Sequence, residues 1–79
     1  MIALKPENVV DVLFGNRLRQ LLDERNISQA HFADRIGVSR SRMNNYVAQR
    51  SEPDYATLIR IANTLDTSID FLLGKSEHQ

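Results

Sequence analysis

Residues 28–47, SQAHFADRIGVSRSRMNNYV, read as two short helices joined by a tight turn. Gly37 is the pivot. It follows Ile36, the last periodic apolar residue of the first of these helices, where the chain needs a positive φ that glycine adopts without a Cβ clash. Ser39 then offers a hydroxyl to cap a new helix. On that helix Met43, Tyr46 and Val47 share one side, leaving Arg40, Ser41, Arg42, Asn44 and Asn45 largely on the other. Arg and Asn side chains bond bidentately to guanine and adenine edges in the major groove. A helix that commits its outer face to these groups is suited to reading DNA.

Outward from this stretch the apolar pattern stays helical, and no segment alternates cleanly as a strand would. Pro6-Glu7-Asn8 reads as a helix start, and Leu18, Leu21 and Leu22 carry its stripe to about Arg25. Gly15 interrupts it at a cost of about 1 kcal/mol relative to Ala, so the helix proper is expected near Leu13, behind an N-terminal arm. The second helix is expected over about 29–36, capped by Ser28, and the third over about 39–48. After the loop Ser51-Glu52-Pro53-Asp54, Asp54 caps a fourth helix over about 55–65, with Leu58, Ile61, Ala62 and Leu65 as its apolar stripe. Asp66-Thr67 breaks it, Ser68 caps a short fifth helix, and Gly74 ends that one. The expected organisation is an arm or helix extension over 1–13, a domain over 14–74 and a tail over 75–79.

The 79 residues suit one small domain, and 42% hydrophobic residues suffice for one core. The absence of cysteine excludes disulfides and thiolate metal sites. No stretch approaches the ~20 apolar residues of a membrane helix, and no secretory leader is evident. The expectation is a soluble, cytoplasmic protein.

A formal net charge of zero argues at first against nucleic acid, but the charges are segregated. Residues 14–50 carry seven arginines against three acids, a net +4, and the remainder carries three bases against seven acids, a net −4. Between Val38 and Ser51 there are three arginines and no acid. The basic half coincides with the candidate reading helix.

The segments FGNRLRQLL, ISQAHFADRIGVSRSRMNNY and EPDYATLIRIANTLDTSIDFLLG, in this order and spacing, resemble the phage repressor/Cro type (XRE family) of helix-turn-helix domain. That type also occurs in many small bacterial and phage-encoded regulators and antitoxins. The resemblance covers residues 14–74, about three quarters of the chain. It implies an all-α fold, a compact five-helix bundle of the lambda-repressor-like type with a central helix-turn-helix. The function it implies is sequence-specific regulation of transcription, with repression the leading form. The protein would act as a homodimer on double-stranded DNA, at a two-fold symmetric operator with half-sites about one helical turn (~34–36 Å) apart. No cofactor, metal or membrane is implied.

In such domains the start of the reading helix points into the groove. Base contacts are therefore expected from Arg40, to guanine O6 and N7, and from Ser41, Asn44 and Asn45, the last suited to adenine. Phosphate contacts are expected from Gln29, at a helix N-terminus, and from Ser28, Arg42, Arg50 and Arg17. In the family a glutamine at this place also braces the first residue of the reading helix. Ile69, Phe71 and Leu72 of the last helix, with Val9 of the apolar run before the match, are dimer candidates.

Two positions depart from the family pattern. An Arg late in the first helix often pairs with a Glu at the end of the reading helix; here Leu22 and Val47 stand there. Packed apolar residues replace a buried ion pair at little or no cost. Gln49 stands where the family has a Gly after the reading helix. Glutamine resists the left-handed conformation, so the loop over 48–53 is expected to take a different path, which weakens the case for Arg50. No pair of histidines has metal spacing, and the Ser, His and Asp residues lack the scaffold of a triad, so no enzyme is expected. The competing class is an antitoxin or other protein-interaction module on the same fold, with a protein partner such as a toxin.

Overall fold

The computed structural model describes the backbone over residues 6–75 and the side chains over residues 14–75. The helices run in the order α1 (Pro6–Glu24), α2 (Gln29–Ile36), α3 (Arg40–Val47), α4 (Tyr55–Thr64) and α5 (Ile69–Leu72). No strand occurs among the described residues. The dimer candidate Val9 has its side chain outside the described residues, as do residues 1–5 of the expected arm and residues 76–79 of the expected tail.

The periodic apolar residues do meet in one core. α1 contributes Phe14, Leu18, Leu21 and Leu22, spaced to share one helix face. Opposite them lie Phe32, Ala33 and Ile36 of α2, and Met43, Tyr46 and Val47 of α3. Ile61, Ala62 and Leu65 close the core from α4, and Phe71 and Leu72 from α5. α3 is packed on both α1 and α2, so the helix proposed to read DNA is held from behind by two others. Leu22 and Val47, which replace the family's ion pair, are both buried in this core.

The five described helices end in the same way. Asn26, Gly37, Gln49, Asp66 and Gly74 have φ of 54°, 79°, 65°, 53° and 80°. In each case the following N–H returns to the carbonyl five residues earlier: Ile27 to Leu22, Val38 to Ala33, Arg50 to Asn45, Thr67 to Ala62 and Lys75 to Asp70, at 2.8–3.1 Å. These are Schellman motifs, which satisfy carbonyls the helix leaves unpaired. The starts are equally regular: Ser28, Ser39, Asp54 and Ser68 accept from the backbone N–H groups of His31, Arg42, Thr57 and Phe71. Three connections are thus one three-residue unit, a left-handed residue, a partly or fully buried one and a capping serine: Asn26-Ile27-Ser28, Gly37-Val38-Ser39 and Asp66-Thr67-Ser68.

Two expectations are corrected together. α1 is one continuous helix from Pro6, so Gly15 does not set its start. Gln49 does adopt the left-handed conformation, and the loop leaves α3 through it as the other helices leave through theirs. The two residues explain each other. A Cβ at Gly15 would stand 2.4 Å from Gln49 Cγ and 2.8 Å from the Val47 carbonyl oxygen. Glycine in mid-helix lets α1 approach the end of α3, and the space it leaves admits the Gln49 side chain.

Candidate nucleic-acid interface

The turn Gly37-Val38-Ser39 decides what α3 presents. Val38 is buried and anchors the turn, and Ser39 caps α3 by accepting from the Arg42 N–H at 3.0 Å. Met43, Tyr46 and Val47 then face the core. Arg40, Ser41, Arg42 and Asn44 remain exposed along one side, and Asn45 is half-buried at its end.

Most of these side chains have a definite partner. Arg40 makes a bidentate pair with Asp34 of α2: Nε donates to Oδ1 at 3.3 Å and Nη2 to Oδ2 at 2.7 Å. Those hydrogen bonds lower the Asp34 carboxyl below its ordinary value and raise Arg40 in turn. Gln29 Nε2 donates to Asn44 Oδ1 at 3.1 Å, so the brace from α2 is made to Asn44 and not to the first residue of α3. Arg42 donates to the Tyr46 hydroxyl at 2.8 Å, and its guanidinium lies 5.9 Å from the centre of that ring. Arg50 Nε donates to Asn45 Oδ1 at 3.2 Å. The left-handed Gln49 turns Arg50 back beside the end of α3, so the arginine and its helix stay together.

The remaining candidates fall elsewhere. Ser28 caps α2 by accepting from the His31 N–H at 3.0 Å, and only the exposed side of its hydroxyl is left for a phosphate. Arg17 lies over the Phe71 ring at 4.3 Å and donates to the Phe71 carbonyl at 3.3 Å. It ties α1 to α5, a packing role that the expectation of a phosphate contact did not include. Phe71 and Leu72 are corrected as dimer residues, because both are buried in the core of the chain itself. Ile69 is partly buried against that core.

Two contributors were not foreseen. Asp34 is separated from Arg40 by the turn, and only the fold brings the pair together. Arg60 of α4 donates to the Ile36 carbonyl at 2.9 Å, satisfying an end group of α2 and fixing α4 against the turn. No local signal marks that contact, which spans 24 positions. Among the described residues there is no group of His, Cys, Asp or Glu suited to a metal ion. No described helix is long and apolar enough to cross a membrane.

Known proteins resemble this chain in sequence and fold. The chain is 38% identical over 68 residues to the uncharacterized HTH-type transcriptional regulator YqaE of Bacillus subtilis (strain 168), covering 85% of this chain and 59% of that protein. It is 30% identical over 63 residues to the HTH-type transcriptional regulator ImmR of the same organism, covering 80% of this chain and 50% of that protein. The chain therefore spans only about half to three fifths of the length of these relatives. Among solved structures, the P22 c2 repressor in complex with a synthetic operator is similar, with a TM-score of 0.76 and 28% identity over 81% of this chain and 97% of that one. A helix-turn-helix family model matches residues 18–72, which takes in the turn, both helices around it and most of the core that supports them, and the chain belongs to the helix-turn-helix family.

Proposed function

We propose that this chain is a sequence-specific DNA-binding regulator of transcription that acts as a repressor. α3 enters the major groove with its N-terminal end foremost. Arg40, Ser41, Asn44 and Asn45 read bases, and Gln29, Ser28, Arg42 and Arg50 approach phosphates. The observation that carries this reading is the outer face of α3. It holds two arginines and an asparagine in the open, with no acid of its own, on a helix fixed from behind by a buried Met43, Tyr46 and Val47. The likeness to a repressor in complex with an operator supports it. The protein works in the cytoplasm as a homodimer, on two half-sites related by the dimer axis. The buried Phe71 and Leu72 favour a dimer surface away from their side chains. Repression follows from occlusion of a promoter and needs no catalysis.

The test is selection from a randomised duplex pool, with binding repeated at low and moderate salt. The expected result is a two-fold symmetric motif whose affinity falls steeply with salt, as release of counterions from phosphates requires. Arg50→Ala should weaken binding to all sequences alike and reduce the salt slope by about 1. If no sequence is enriched at either salt, the fold serves protein interaction and not DNA reading.

A further inference from the structure

The first residue of α3 has a fixed partner in the structure. Arg40 is held by Asp34 along one edge of its guanidinium, through Nε and Nη2. Asp34 sits two residues before the end of α2, and the left-handed turn at Gly37 is what folds α3 back beside it. The two side chains are 67% and 55% exposed, so solvent screens the pair and it adds little to folding. Its consequence is orientation. Arginine carries five N–H donors in a rigid plane. The pair uses one from Nε and one from Nη2. The opposite edge, formed by Nη1 and the second Nη2 proton, has no partner among the described residues. That edge carries two parallel donors, the pattern that guanine O6 and N7 accept.

We propose that Asp34 is a positioning residue for base recognition, holding the Nε edge of Arg40 so that the Nη1–Nη2 edge meets one guanine in each half-site. This rests on the DNA-reading role proposed above. Fixing the guanidinium in advance reduces the side-chain freedom lost on contact and disfavours bases that need a different approach. Asp34 is held ionised by its partner, so at neutral pH it only accepts hydrogen bonds. Its negative charge beside the groove also repels phosphates and lowers affinity for every sequence. Asp34 therefore gives up general affinity and gains selectivity.

That opposition gives the test. The full chain, Asp34→Ala, Asp34→Asn, Arg40→Ala and the Asp34→Ala/Arg40→Ala double variant are titrated against three duplexes. These are the operator selected by the wild-type chain, the same operator with the contacted guanine replaced, and an unrelated sequence. Circular dichroism and thermal melting confirm that each variant is folded. Asp34→Ala should reduce the preference for guanine by about fivefold or more, the lower end of what a bidentate Arg–guanine contact discriminates. It should at the same time bind the unrelated duplex more tightly. Asp34→Asn, which keeps one acceptor oxygen, should fall between. In the Arg40→Ala background the loss of Asp34 should leave base preference unchanged. A parallel rise in affinity for all three duplexes, with guanine preference intact, overturns the inference and leaves the DNA-reading role standing. A wild-type chain that selects no sequence removes the role and the inference together.

Discussion

The turn between α2 and α3 and the crossing of α1 over the end of α3 each depend on a glycine, but for opposite reasons. At Gly37 the constraint is the backbone: φ is +79°, and an added Cβ would meet nothing within 4 Å. At Gly15 the backbone is ordinary helix and the constraint is space, with the Val47 carbonyl oxygen and the Gln49 side chain in the way of any Cβ. The first glycine answers to its own neighbours in the chain. The second answers to residues more than thirty positions away. A glycine required by conformation is visible in a sequence, whereas one required by contact looks like a defect.

The largest expected effect tests the contact. Gly15→Ala should destabilise by about 1–3 kcal/mol, as overpacking does, despite the better helix propensity of alanine, worth about 1 kcal/mol. Urea unfolding measures it, and a gain in stability would mean that the crossing is loose. Next comes conformation. Gly37→Ala should cost about 1–2 kcal/mol, the penalty of a Cβ in the left-handed region. Gly37→Asn should recover much of that, because asparagine tolerates this region. If Ala and Asn cost the same at position 37, space and not φ governs both glycines, and the contrast fails.

A smaller effect links the two regions. Gln49→Ala removes the Cγ that stands over Gly15 and leaves the Val47 carbonyl in place. Combined with Gly15→Ala it should therefore cost less than the sum of the two single changes, by roughly 0.5 kcal/mol or more. Strict additivity in the double-mutant cycle would show that Gln49 yields freely.

The smallest effect separates the two helix starts on either side of α3's exit. Ser39 caps α3 with a hydroxyl that does not titrate, whereas Asp54 caps α4 with a carboxyl that titrates in acid. Hydrogen bonds from Thr57 lower the Asp54 carboxyl below its ordinary 3.8. Its contribution is complete above pH 3.8 and is lost as pH falls through the lowered folded-state value. Asp54→Asn, which caps without titrating, should thus lose less thermal stability than the wild-type chain between about pH 5 and pH 2. An identical acid profile would show that other carboxylates, Asp34 among them, account for the acid response.

The parts legible in the sequence are those written locally. Ser28, Ser39, Asp54 and Ser68 announced their helices, and each accepts the expected backbone N–H. Gly37, Gly74 and the Asp66-Thr67 break announced ends, but Asn26 and Gln49 end helices in the same way without having been read as ends. Asparagine and aspartate accept the left-handed region more readily than most residues, and at Gln49 the N–H groups of Gln49 and Arg50 donate back to the carbonyls of Tyr46 and Asn45. Within the candidate interface the residue types were visible and their partners were not. Arg17 shows the limit most plainly. Its charge suggested a phosphate, yet its guanidinium lies on Phe71, across 54 positions of chain.

Helical period, caps and turn residues therefore determined from the sequence alone that five helices form and which side of α3 stays polar, because each depends on residues within a turn or two of one another. The tertiary structure decided which edge of Arg40 is free, why position 15 must lack a Cβ, and that Phe71 and Leu72 belong to the core. Those outcomes depend on which helices cross and how closely, and the distances involved exist only once the apolar faces have closed on one another.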